Sequence, residues 1–181
     1  MKTRSFDPRK LDVAAFARDA ASLEGEWPAA TLQRLADAAA PDAPATLWPA
    51  VRWSVEGEYR EARGSAAQIW LHLQASTEVS LSCQRCLKPV QEALTLERSI
   101  QFVPDEAAAA ELDADAEHDV LELTRSLDLA ELIEDELLLA LPLVPRHEVC
   151  PEPLPRPLGE PDAVSERPNP FAALAALKKA Q

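Results

Sequence analysis

The sequence is short of cysteine, with three, and of glycine, with four, and aromatic residues make up only 5% of its 181 positions. Three thiols with no leading apolar segment cannot form a closed disulfide framework, so free thiols or metal-bound thiolates are expected instead. Four glycines can hardly build a phosphate-cradling loop, and neither Gly-x-Ser-x-Gly nor His-Glu-x-x-His occurs. No run of 18 or more apolar residues is present, so no membrane-spanning helix is expected. The start of the chain (Lys2, Thr3, Arg4, Ser5) is polar. A cytoplasmic protein with no membrane partner and no small-molecule substrate follows as the expectation.

Basic charge is also scarce. The net charge is −13, whereas nucleic-acid binders draw most of their non-specific affinity from a basic face. The excess lies in one block, since residues 104–136 hold 13 acids and one arginine. Direct RNA contact would have to use Arg52, Arg60, Arg63, Arg85, Lys88 and Arg98, which acids between 50 and 100 match in number. A solvated mixed-charge surface is the simpler reading of that cluster.

What the chain does contain is periodicity. Apolar residues fall at helical spacing from Leu11 to Ala21 and from Pro28 to Ala40, predicting two N-terminal helices. Strict alternation follows from Val51 to Tyr59, then from Ile69 to Leu81, and resumes from Val90 to Phe102, predicting strands joined by a hairpin at Ser82–Pro89. Residues 104–119 read as a mobile acidic insertion or weak helix, and Val120–Leu123 as a short edge strand. Leu127–Leu141 is an amphipathic helix with Leu129, Leu132, Ile133, Leu137 and Ala140 on one stripe, and Glu131, Glu134, Asp135 and Glu136 on a solvated face. Six prolines between 151 and 168 predict an extended linker, and Asn169, Pro170, Phe171, Leu174 and Leu177 a short terminal helix. The expected architecture is α+β: one domain over 1–150 with N-terminal helices, an antiparallel sheet of about four strands and one long packed helix. A proline-rich linker (151–168) and a short helix (169–181) follow.

Cys83 and Cys86 form a Cys-x2-Cys in the hairpin, and His147 with Cys150 forms a His-x2-Cys after the long helix. Two short-spaced pairs of soft donors are the pattern of a Cys3His structural zinc site; otherwise the thiols are small buried residues and His147 a surface imidazole. Redox chemistry fits less well, because the motif lies between strands rather than at a helix N-terminus. His72 and His118 look incidental.

Three motifs carry a resemblance: Cys83-x-Arg85-Cys86, the helix Ile133-Glu134-Asp135-Glu136-Leu137-Leu138-Leu139-Ala140-Leu141-Pro142, and Pro168-Asn169-Pro170-Phe171-Ala172-Ala173-Leu174. In this order they resemble the YceD family, the large ribosomal RNA subunit accumulation proteins of bacteria and plastids. Phe6-Asp7-Pro8 and the Gly25 to Leu35 region fit as well. The resemblance implies a non-enzymatic ribosome-biogenesis factor serving synthesis, processing or stability of 23S ribosomal RNA. Members of another branch carry a second Cys-x2-Cys after the Leu-Pro, where this chain offers only His147 and Cys150. Given the acidity, contact with a ribosomal or assembly protein is expected ahead of bare RNA, with Arg85, Pro170, Phe171 and Leu174 as candidate contacts. The alternatives are an RNA-binding module on the sheet face around Trp53, Trp70 and the arginines, and a metal- or thiol-dependent enzyme built on Cys83 and Cys86.

Overall fold

The alternating segments pair in chain order. In the computed structural model, which describes residues 5–61 and 67–152, strands β1 (Ser22–Trp27), β2 (Val51–Arg60), β3 (Gln68–Ser82) and β4 (Pro89–Val103) form an antiparallel meander. The β3–β4 hairpin keeps one register from Ile69 opposite Phe102 to Ser82 opposite Pro89. Period-2 alternation places Val51, Val55, Leu71, Leu73 and Val79 on one face, where all are fully buried. Each such side chain contributes about 1.5–3 kcal/mol.

Helices α1 (Val13–Arg18), α2 (Gln33–Ala36) and α4 (Leu129–Leu139) belong to the main core, which includes Phe16, Leu35, Leu129, Ile133 and Leu137. Asp12 caps α1 by accepting from Ala15 N at 3.0 Å, and Asp128 caps α4 by accepting from Ala130 N at 2.9 Å. A bridge between Leu11 and Leu127 joins the two helix starts. α1 lies so close to β2 that a Cβ on Gly57 would stand 2.7 Å from Phe16 Cδ1 and 2.8 Å from Ala17 Cα.

The sheet departs from the expected four antiparallel strands. It has five, and β5 (Asp119–Glu122) runs parallel to β4. A parallel neighbour needs a crossover, and the acidic segment provides it as helix α3 (Glu106–Asp113). Asp105 caps α3 by accepting from Ala108 N at 2.9 Å, and Val103, Ala109 and Val120 close a small separate cluster. The added N-terminal strand β1 carries Leu23, Gly25 and Trp27 alternating with acids, a pattern only six residues long.

The N-terminal helices are shorter than their periodicity predicts. The second is broken into a 3₁₀ turn at Ala29–Thr31 and the four-residue α2, with Leu32 non-helical between them. Glu134 of α4 causes the restart: its carboxylate accepts from Arg34 N at 2.7 Å and Leu35 N at 3.2 Å, and from the Arg34 guanidinium at 3.1 Å. Glu134 and Glu136 are therefore buried rather than solvated, Glu136 accepting from Arg98 Nε at 2.8 Å. Most of the expected linker and the whole expected terminal helix, with Pro170, Phe171 and Leu174, lie outside the described residues, as does Arg63.

Candidate metal centre

The tip of the β3–β4 hairpin is a closed turn. Cys83 N donates to Lys88 O at 3.0 Å and Leu87 N to Cys83 O at 2.9 Å. Leu87 takes a φ of 60°, a left-handed conformation that a leucine adopts at some cost. The turn brings the backbone N–H groups of Arg85 and Cys86 onto the Cys83 sulfur.

Beyond α4 the chain breaks at Pro142 and returns to this tip. Gln84 N donates to Pro145 O at 2.9 Å. Arg85 Nη2 donates to the carbonyls of His147 and, at 3.1 Å, Glu148. These bonds hold 145–148 beside the hairpin, so the two sequence pairs meet. The donor atoms of Cys83, Cys86, His147 and Cys150 all lie within 4.8 Å of one another. Ligand atoms around a tetrahedral zinc sit roughly 3.5–3.8 Å apart. Cys86 Sγ and His147 Nδ1, 3.5 Å apart, already match that spacing. His147 Nε2 lies 3.0 Å from Pro89 O. A carbonyl can only accept, so Nε2 carries the proton and Nδ1 turns its lone pair to the thiols.

Burial pushes the Cys83 thiol up, but N–H groups from Arg85, Cys86 and His147 and the His147 ring more than offset it, bringing it down to about 5. Cys150 is raised, first by burial and then by its hydrogen bond to Cys86. A fully buried sulfur among amide donors suits metal ligation better than exposed nucleophilic chemistry. The four donors fit one tetrahedral soft-metal ion; Cys3His is a zinc donor set.

Among the described residues, three of the arginines counted as a possible RNA grip sit in ion pairs. Arg52 pairs with Glu26 at 3.1 Å, Arg60 with Glu58 at 2.7 Å and Arg98 with Glu136 at 2.8 Å. Neither tryptophan of the RNA-binding alternative offers a free face. Trp53 is 7% exposed and stacks on Trp27 at 4.5 Å between ring centroids. Trp70, equally buried, lies under Arg60 at 4.6 Å and against His118 at 4.5 Å. His72 and His118, incidental by sequence, are part of this packing: His72 bridges Glu58 and Ser99, each at 2.9 Å, and His118 contacts Gln101 at 2.9 Å.

The family described as "Large ribosomal RNA subunit accumulation protein YceD" matches residues 71–178, a stretch that includes most of the β3–β4 hairpin, α4 and all four donors. The chain belongs to the YceD family. A Haemophilus influenzae member, named large ribosomal RNA subunit accumulation protein YceD, is 37% identical over 106 residues, covering 56% of this chain and 61% of that relative. The matched stretch thus spans less than two thirds of the relative's length. No solved structure matches. For this YceD-family chain the second donor pair is His147 and Cys150. The supporting carbonyls of Pro89 and Pro145 had no signal in the sequence, because backbone carbonyls carry no residue identity, whereas Arg85 stood out in the Cys-x-Arg-Cys motif as a candidate partner contact.

Proposed function

We propose that this chain is a cytoplasmic, non-enzymatic factor that supports large-subunit ribosomal RNA accumulation by contacting a ribosomal or ribosome-assembly protein, with a structural zinc at Cys83, Cys86, His147 and Cys150. The observation that carries the role is the family match over residues 71–178. Its relative's name speaks of RNA accumulation, and the acidic chain with its paired arginines favours a basic protein over RNA as direct partner. No described helix is long and apolar enough to cross a membrane. The zinc reading rests on the convergence of the four soft donors. When bound, the ion would supply a cross-link between hairpin tip and post-α4 segment, with no open coordination position.

Deleting the gene should lower mature 23S ribosomal RNA, and plasmid expression of the chain should restore it; unchanged 23S levels defeat the role. The same complementation with residues 168–181 removed tests Pro170, Phe171 and Leu174, and full restoration removes them as contacts. Protein purified without chelator should carry about one zinc per chain, and zinc-free, stably folded protein defeats the metal assignment.

A further inference from the structure

One hydrogen bond fixes the polarity of β4. Leu123 N donates to Val103 O at 2.7 Å, so Val103 turns its backbone polar groups toward β5 and away from β3. In an antiparallel ladder the N–H and C=O of one residue point to the same side, and successive residues alternate. The β3–β4 register has no interruption. Gln91, Ala93, Thr95, Glu97 and Ser99 therefore also aim their backbone groups outward. β5 covers only Ile100–Val103 of β4. Among the described residues, the outward groups of 91–97 lie outside the β4–β5 pairing and enter no other backbone hydrogen bond, Glu97 O accepts only from the Arg98 side chain, at 3.2 Å, and at Ser99 the parallel register engages the carbonyl with β5 and leaves the N–H outward. All five outward residues are exposed. Native sheets blunt such edges with charged side chains, lysine above all, with proline or with a bulge; residues 91–99 contain no lysine, proline or bulge, and of their charged groups Glu92 and Glu97 are acidic while Arg98 is held by Glu136.

A separate concavity lies at each end of the bare edge. Leu139, Glu117 and Asp119 flank Glu97 and Ser99; Arg146 and Val149 flank Gln91 and Glu92. Leu139 is 77% and Val149 85% exposed. We propose that the outer edge of β4, Gln91–Ser99, is a docking site for an extended, lysine- or arginine-rich segment of a partner protein that adds as a strand in line with β5. Backbone pairing supplies the affinity, and Leu139 and Val149 meet apolar side chains of the added strand. Charge selects the partner. Glu92, Glu97, Glu117 and Asp119 line the two concavities against Arg146, since Arg98 is held by Glu136 at 2.8 Å and lies 4.0 Å from Asp119. A second copy fits poorly, since edge-to-edge pairing would bring these acids together. The proposal names a surface for the partner of the functional reading and rests on that reading only for the partner's biological identity.

The test uses full-length protein and a capped 11-residue peptide of alternating lysine and valine, followed by amide hydrogen exchange. Binding should protect the amides of Gln91, Ala93, Thr95, Glu97 and Ser99 at least tenfold and leave those of Leu94, Leu96 and Arg98, already bonded to β3, unchanged. Thr95→Pro removes one outward N–H without touching the β3 ladder. It should weaken binding at least tenfold at near-normal thermal stability. Should that variant not fold, Glu92→Lys with Glu97→Lys leaves the backbone intact and should lose the lysine peptide to a similar extent while gaining a glutamate–valine one. Absence of alternate-residue protection overturns the site. So does equal binding of the glutamate–valine peptide by wild type, the same protection with single-stranded oligouridylate, or a stable dimer that Thr95→Pro dissociates. None of these results depends on 23S levels, so failure here and failure of the functional reading are separately visible.

Discussion

His147 and Pro89, 58 positions apart, are joined by a hydrogen bond from imidazole Nε2 to the backbone carbonyl, at 3.0 Å. This contact decides which ring nitrogen faces the cysteines. Because the carbonyl takes the Nε2 proton, Nδ1 is left as the donor atom beside Cys86 Sγ.

The first prediction concerns that ligand set. His147→Ala and Cys86→Ser should each release zinc, and chelation of wild type should lower the melting temperature without abolishing the β-sheet signal, since the sheet has its own apolar core. A loss of about 2 kcal/mol corresponds to roughly 4–8 °C for a chain this size. Metal analysis and thermal unfolding on the same samples check both parts; an unchanged melting temperature after complete metal removal would count against a structural role.

Glu58 supplies a pH prediction. Hydrogen bonds from Arg60 first and His72 second hold its carboxyl at about 2, below the ordinary 4.5. A carboxyl depressed in the folded state favours folding fully above pH 4.5 and loses that contribution as the pH falls toward 2. The side chain is 42% exposed, so the contribution should stay under about 1 kcal/mol. Carboxyl ¹³C titration by NMR should show the low midpoint in wild type and a rise toward the ordinary value in Arg60→Ala.

Gly57→Ala should destabilise strongly. The new methyl would lie 2.8 Å from the Ala17 Cα, a backbone atom that cannot rotate away, so α1 must shift from β2. Overpacking of this kind costs about 1–3 kcal/mol, readable as a lower urea midpoint. An unaltered midpoint would mean that α1 is not held against β2 as described.

Glu134 joins α4 to α2. Glu134→Ala would leave the Arg34 and Leu35 N–H groups without their acceptor, at a cost of about 2–4 kcal/mol. Glu134→Gln keeps an acceptor oxygen and should lose roughly half as much. Equal stability of the two variants would show that the carboxylate's hydrogen bonds are not the source. Chemical denaturation distinguishes these outcomes.

Strand and helix identities were readable wherever period and length agreed. The alternation of Ile69 to Leu81 and of Val90 to Phe102, and the stripe of Leu129, Ile133 and Leu137, each specify a face whose burial no other arrangement satisfies. The period failed where one distant side chain overrode it: the helical stripe from Pro28 to Ala40 is interrupted because Glu134 takes the N–H groups at Arg34 and Leu35. Short elements were hidden for a different reason, since Ser22–Trp27 offers three alternations and no turn signal to isolate it.

By itself the sequence determined the meander hairpin, the packed α4, the acidic charge and the identity of four soft donors, because periodicity, charge and ligand chemistry are local properties of residues. Tertiary structure decided what those residues do together. Long-range hydrogen bonds at Gln84, Arg85 and Pro89 bring His147 and Cys150 to the hairpin tip; α3 carries β5 back parallel to β4; and the short length of β5 leaves Gln91–Ser99 with outward-facing backbone groups. Each depends on contacts between segments far apart in the chain, and such contacts are set by packing rather than by any local pattern.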